Sequence, residues 1–250
     1  MEANTETDHA EFLWVELNEA AAAQLDAGRF VVAAEKWQEA HGIAQQFEEN
    51  DPRIASSLNN VAIAHRIKRN FAEAEQYYRH AIVSWQAASA WVDQMQLAPR
   101  ARSSLFHLRM ERRHKPEYRR IALRKYQAVL PAGCAATHNN LAELYHAVNR
   151  EEDAEPLYAQ ALRDRSEAMG ADEPTTAIIR ENAKTLGAQT ADGSRVHASY
   201  RTMDPGTFNA QATRKRWIID QPAEFTDEGR LMAAILLTPV LDHGRLPSLS

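Results

Sequence analysis

The chain has 250 residues, 44% of them hydrophobic and 25% charged, which is typical of a soluble globular protein with one or two domains. The formal net charge of −5 gives no reason to expect nucleic-acid binding from bulk charge. The single cysteine excludes an internal disulfide, and the lack of a signal peptide or a membrane-spanning apolar run predicts a cytoplasmic protein with no membrane partner.

The first quarter of the chain predicts an acidic tail followed by a helical hairpin. Residues 1–10 carry no apolar periodicity, and we expect them to be a disordered acidic tail. Apolar residues then recur at helical spacing over residues 11–25 and again over 30–48. Gly28 suits the turn between these helices, because glycine readily adopts the left-handed conformation that ends a helix.

The same pattern continues after Pro52. A helix is predicted over residues 53–68, and a second, unusually long helix runs from 71 to about 97. Residues 100–113 and 117–130 are predicted to form a third and less regular pair. The result is a series of hairpins, none of which can bury both of its apolar faces without a neighbour.

The clearest hairpin lies within residues 135–170, where two amphipathic helices flank a polar turn at 149–153. Asn149 is predicted to end the first of them, since asparagine tolerates the left-handed conformation. One more helix is expected over residues 175–186. Corresponding positions in successive pairs are about 40 residues apart, if the 80 residues from Phe71 to Glu151 are taken as two units.

These hairpins resemble a known repeat family. Residues 57–64 (SLNNVAIA) and 138–145 (HNNLAELY) are similar to first helices of tetratricopeptide repeats, and residues 152–162 (EDAEPLYAQAL) are similar to a second helix. The period and the loop at 169–174 (MGADEP) are similar to the kinesin-light-chain-like subtype. The resemblance implies an all-α fold, a right-handed α-solenoid of about four to five helix-turn-helix repeats over residues 11–187.

The resemblance also implies a function. Proteins of this family bind partner peptides or proteins in a concave groove, so we expect a non-enzymatic scaffold, adaptor or chaperone-like assembly factor. Asparagine amides can pair with either side of a peptide unit. The alternative is that one asparagine of each pair bridges neighbouring helices. The predicted partner-binding residues are Asn59, Asn60, Arg66, Asn139, Asn140, Glu143 and His146.

Residues 188–250 do not continue the repeat, and an apolar stretch near residues 231–236 needs to be covered by something. We expect this segment to cap the last repeat. The alternatives are that it lies in the groove as an internal ligand or that it exchanges with a second chain. In the groove it would act as a gate, as in a regulatory sensor module of a signalling or transcription system.

Charge is unevenly distributed along the chain. Residues 1–52 hold twelve acidic residues against two basic ones, and residues 100–125 hold ten basic residues against two acidic ones. This asymmetry favours an acidic partner, or association between copies of the chain into a homo-oligomer that weakens with added salt. We do not expect nucleic-acid binding, because no base-reading element is recognisable.

The sequence offers little for catalysis. It contains no phosphate-binding glycine motif and no nucleophile elbow, so we predict no catalytic residue and no cofactor. His107, Glu111 and His114 share a helical face, but they lie in the basic stretch, which would repel a cation, so we predict no metal site there. Cys134 is expected to be a buried thiol, since no acid–base partner accompanies it.

Overall fold

Seven α-helices account for nearly all of the chain that the computed structural model describes, namely residues 2–47, 49–97, 116–186, 235 and 238–241. No strand occurs in these ranges. The helices are α1 (Glu2–Asp26), α2 (Phe30–Ala44), α3 (Pro52–Ile67), α4 (Phe71–Leu97), α5 (Pro116–Ala147), α6 (Glu151–Met169) and α7 (Pro174–Thr185). Each helix packs against the next one in the sequence. This nearest-neighbour packing is that of an α-solenoid, which confirms the all-α prediction.

The turn within each helical pair has the same backbone geometry. Gly28, Arg69 and Asn149 have φ angles of 71°, 62° and 60°. In each turn the N–H of the following residue donates to the carbonyl five residues earlier, over 2.8 to 2.9 Å. This is the Schellman arrangement that satisfies the last carbonyls of a helix. Three equivalent turns therefore mark three helical pairs, α1/α2, α3/α4 and α5/α6.

The prediction of a separate third pair is wrong in one respect. The predicted helix at residues 117–130 continues through Pro131 without a break and becomes the first helix of the next pair, α5. Pro131 removes one helical hydrogen bond, but its neighbours Leu130 and Ala132 are fully buried. Packing thus holds the helix together where the sequence suggests a break. The other predicted helix of this pair, at 100–113, lies outside the described residues.

The continuous helix changes how the repeats are counted. Helix α3 packs against α5, and the Asn140 side-chain amide donates to Asn59 Oδ1 over 3.1 Å. The pair α5/α6 is therefore the direct neighbour of α3/α4. Equivalent positions are 42 residues apart from Asn18 to Asn60 but 80 apart from Asn60 to Asn140. The 80 residues therefore exceed the 42-residue spacing, and part of the additional length extends α4 and α5.

The N-terminus also differs from expectation. Helix α1 begins at Glu2, whereas a disordered tail was expected over residues 1–10.

Large aromatic side chains form the centre of the solenoid. Trp14, Trp37 and Trp85 are at most 1% exposed, and Tyr78, Tyr126 and Tyr158 are equally buried. Two of the tryptophans also anchor hydrogen bonds between helices. Trp14 Nε1 donates to Ser57 Oγ over 2.8 Å, and Trp85 Nε1 donates to Thr137 Oγ1 over 3.0 Å. These bonds fix α3 against α1 and α5 against α4.

Gly133 allows α5 to approach Trp85, and this contact gives a testable prediction. A Cβ atom at residue 133 would lie 2.6 Å from the Trp85 ring, which is too close for any real contact. Gly133→Ala is therefore expected to lower the free energy of unfolding by about 1–3 kcal/mol. Gly42→Ala is the matched control, because that glycine is helical with nothing within 4 Å of the added Cβ. It should instead raise stability by up to about 1 kcal/mol.

Urea denaturation of both variants measures the two changes. A stabilising effect of Gly133→Ala similar to that of Gly42→Ala would show that α5 and α4 are not packed as described.

Candidate functional site

A row of asparagine amides crosses four helices, namely the three that begin a pair and the final helix of the solenoid. We call this row the amide ladder; its members, in spatial order, are Asn18 of α1, Asn60 and Asn59 of α3, Asn140 and Asn139 of α5, and Asn182 of α7. Every member is at most 3% exposed. Buried amides of this kind need hydrogen-bond partners, because an unpaired buried polar group is strongly destabilising.

The ladder supplies many of these partners itself. Each amide nitrogen donates to the Oδ1 of the preceding asparagine in the row, over distances between 2.8 and 3.3 Å. At the α1 end the row closes when Asn18 Nδ2 donates to the Trp14 carbonyl over 2.8 Å. A side-chain amide can extend such a row because it both donates and accepts. The ladder therefore links α1, α3, α5 and α7 through polar contacts alone.

A short segment of the C-terminal region, Thr238–Leu241, lies against the α5 and α7 end of the ladder; we call it the groove segment. Asn140 Nδ2 donates to the Pro239 carbonyl over 2.7 Å, and Asn140 Oδ1 accepts from Leu241 N–H over 2.8 Å. Asn139 and Asn182 both donate to the Leu241 carbonyl, over 2.9 and 2.8 Å. All four bonds go to main-chain atoms.

Side chains of the groove segment occupy three different environments. The Thr238 and Ser56 hydroxyl oxygens are 2.9 Å apart. Val240 is 2% exposed and joins the apolar cluster of Ala135, Ala136, Ala161, Ile178 and Ile179. Leu241 is 1% exposed and belongs to the larger central cluster of the solenoid. We call the surface that receives these four residues the ladder groove.

The structure separates the predicted asparagines into two groups. Asn139 and Asn140 contact the groove segment, whereas Asn59 and Asn60 bridge helices through other ladder members. Asn182 contacts the segment but was not predicted. Its position 42 residues after Asn140, equal to the spacing from Asn18 to Asn60, could have identified it.

The C-terminal region was expected to cap the last repeat. Its described residues, 235 and 238–241, contact α3, α5 and α7. Since α7 is the last helix of the solenoid, the cap and the groove alternative both stay predictions. The remaining residues of 187–250 lie outside the described part of the chain.

Arg66 and Glu143 form a buried ion pair one to two turns along the same helices. Arg66 Nη2 lies 3.8 Å from Glu143 Oε2, and the side chains are 9% and 0% exposed. The Tyr158 hydroxyl donates to Glu143 Oε1. Burial raises the pKa of the nearby Tyr78 phenol, and the positive charge of Arg66 partly opposes that rise. His146, also predicted for the site, is half-buried on α5. Arg66 thus has its charge balanced within the protein.

The described residues contain no group of three His, Cys, Asp or Glu side chains placed to hold a metal ion. The triad of His107, Glu111 and His114 falls outside them. No helix in the described ranges is both long and apolar enough to cross a bilayer.

Cys134 is buried on α5, and burial raises the pKa of its thiol to about 12. The thiolate is the reactive form of cysteine. We therefore expect Cys134 in the native chain at pH 8 to react with a thiol reagent such as 5,5′-dithiobis(2-nitrobenzoate) at least about 100-fold more slowly than in 6 M guanidinium chloride. Absorbance at 412 nm follows the reaction, and equal rates in the two conditions would contradict the packing of α5.

Comparison with known protein families identifies the type of repeat. Two family models described as tetratricopeptide repeat match residues 11–83 and residues 134–175. Both are of the kinesin-light-chain-like type. The gap between the matches contains the extended ends of α4 and α5. Comparisons with curated proteins and with solved structures gave no significant match.

Proposed function

Because the chain is a tetratricopeptide repeat protein, we propose that it is a non-enzymatic scaffold, adaptor or assembly factor that binds an extended segment of a partner protein in the ladder groove. Repeats of this family generally mediate protein–protein interaction. The proposal places this interaction at Asn139, Asn140 and Asn182, with Asn59 and Asn60 holding the row in position.

One observation carries the proposal. Asn140 pairs with a carbonyl and an N–H on the same peptide strand, while Asn139 and Asn182 share a second carbonyl. Four bonds to the main chain of Pro239 and Leu241 support a surface that selects extended backbone. Hydrogen bonds to main-chain atoms supply affinity largely independent of sequence, and apolar pockets then supply specificity.

We do not propose that Arg66 selects an acidic partner. That guanidinium already faces Glu143 at 3.8 Å, so the pair has no net charge to offer an acidic ligand. Binding of an acidic partner by the basic residues at 100–125, and salt-sensitive association between copies, stay predictions. A cytoplasmic location also stays a prediction. Nothing in the comparisons favours a signalling or transcription module, and we do not propose one.

The test uses a full-length variant whose groove is open. Val240→Asp together with Leu241→Asp would place two carboxylates in apolar pockets, which strongly disfavours the docked segment; we call this variant the released chain. A displayed library of random twelve-residue peptides is selected on the released chain. We expect enriched peptides that bind it and lose binding when Asn139→Ala and Asn140→Ala are added. The proposed function would be contradicted if the enriched peptides bound equally well without the two asparagines. It would also be contradicted if a released chain with native helicity enriched no peptide.

A further inference from the structure

The groove segment is itself an example of a peptide that the ladder groove accepts. The contacts at each of its four positions indicate which residue types that position favours. Thr238 is 3% exposed with its hydroxyl at Ser56, and it also donates to the Ile235 carbonyl over 2.6 Å. A residue without a hydroxyl would leave Ser56 facing an apolar group in a buried site. The first position therefore selects threonine or serine.

The second position fits proline. The ladder uses only the carbonyl of Pro239, which accepts from Asn140 Nδ2. Proline lacks an N–H, and its ring restricts its own φ angle. Asn140 bonds the carbonyl of this restricted residue and the N–H two residues later. Proline here lowers the entropy lost on binding without removing a contact.

The third and fourth positions are apolar and differ in size. Val240 belongs to an apolar cluster with three alanines and two β-branched residues, namely Ala135, Ala136, Ala161, Ile178 and Ile179. Small alanine side chains leave room for a compact branched residue. Leu241 reaches the central cluster while its own N–H and carbonyl are bound by the ladder. Ile235, fully buried in a further cluster with Trp14, adds an anchor three residues before Thr238.

No charged atom contacts the groove segment in these bonds. The partners are amides and a hydroxyl, and the nearest ionic pair named in the site, Arg66 with Glu143, is internally balanced. An uncharged ligand core is thus favoured over an acidic or basic one.

We infer that the partner of the ladder groove is a peptide with the pattern Ile-x-x-(Thr/Ser)-Pro-(Val/Ile)-Leu, and that it competes with the chain's own groove segment for Asn139, Asn140 and Asn182. This inference rests on the proposed function. It adds the class of peptide that binds and identifies the chain's own groove segment as a competitor. A partner must displace Thr238–Leu241, so the apparent affinity of the native chain is reduced by the fraction of molecules whose groove is free.

The first test measures binding of a fluorescent synthetic peptide covering residues 233–243. Fluorescence anisotropy compares the released chain with a control, full-length Val83→Asp, which makes one Val→Asp change at a residue 63% exposed on α4. We expect the released chain to bind at least about tenfold more tightly than the control and the native chain. A peptide with aspartate at the Val240 and Leu241 positions should not bind. Equal affinity of all three chains would overturn the competition.

A second variant covers the case in which the released chain does not fold. Ser56→Cys with Thr238→Cys joins two positions whose hydroxyl oxygens are 2.9 Å apart, a separation compatible with a disulfide. Oxidation should abolish binding of the 233–243 peptide. Reduction should restore binding, at an affinity below the native level because Ser56→Cys removes the hydroxyl that faces Thr238. Unchanged binding after oxidation would contradict the claim that the chain's own groove segment occupies its groove. A disulfide-linked dimer on a non-reducing gel would contradict it too, and would show that the segment comes from a second copy.

The library selection separates this inference from the proposed function. Peptides that depend on Asn139 and Asn140 and share the Thr/Ser-Pro-Val/Ile-Leu core support both. Peptides that depend on the asparagines but share a different core would overturn the ligand class and leave the proposed function in place.

Discussion

Replacing Asn139 and Asn140 by alanine in the released chain is expected to weaken binding of the 233–243 peptide by about 100-fold or more. The peptide would lose its bonds to Asn140, and a carbonyl and an N–H would become buried without partners. Such groups cost about 1–3 kcal/mol each, and 2.7 kcal/mol corresponds to about 100-fold in dissociation constant. Fluorescence anisotropy measures the change directly.

The matched control is Asn60→Ala in the same released chain. Asn60 is equally buried in the ladder but bonds to Asn18 and Asn59, not to the groove segment. Both variants should lose stability, because both interrupt the row that joins the helices. Only the first should lose most of its peptide affinity. Similar binding losses in the two variants, once corrected for the fraction folded, would show that the asparagines act only by holding the helices together.

Replacing Glu143 by leucine is expected to lower the free energy of unfolding by about 3–5 kcal/mol, the largest effect on stability that we predict. Arg66 would keep its charge in a site where its side chain is 9% exposed, without the carboxylate that faces it. The Tyr158 hydroxyl would lose its acceptor as well. Removing one member of a buried pair is costly because the remaining charge is left uncompensated.

Glu181→Leu is the matched control, because Glu181 pairs with Lys184 at 2.7 Å but both side chains are more than 60% exposed. Exposed pairs contribute at most about 1 kcal/mol. Adding Arg66→Leu to Glu143→Leu should recover much of the lost stability, since two apolar side chains then replace the pair. Urea denaturation measures all three. A loss below that of Glu181→Leu would mean that Arg66 and Glu143 are not buried together.

Local signals in the sequence account well for the helices and the turns between them. Gly28 and Asn149 are residues that adopt positive φ readily, and each ends a helix where predicted. Arg69 adopts the same geometry, although arginine is not a residue type that favours positive φ. The helical pair it joins was still predicted, because apolar periodicity on both sides carries the signal.

Features that depend on distant residues were the ones missed. Pro131 suggests the end of a helix, yet α5 continues through it because Leu130 and Ala132 are buried by other helices. The contact between Asn140 and Leu241 joins residues 101 positions apart, and no local pattern marks it. The asparagine pairs themselves came from resemblance to a repeat family, which gave no indication of the segment that contacts Asn139 and Asn140.

The most direct test of the account asks whether Asn140 binds the main chain of a peptide. A 233–243 peptide is synthesised with an ester in place of the amide at the Leu241 position, which removes the N–H that donates to Asn140 Oδ1. Its affinity is measured for the released chain and for the released chain with Asn140→Ala. This double-mutant cycle isolates one hydrogen bond.

The account predicts that the ester weakens binding to the released chain by about tenfold, as expected for loss of one buried hydrogen bond, and changes binding to the Asn140→Ala chain by less than about twofold. An equal loss in both chains, or no loss in either, would contradict recognition of the peptide backbone by the amide ladder.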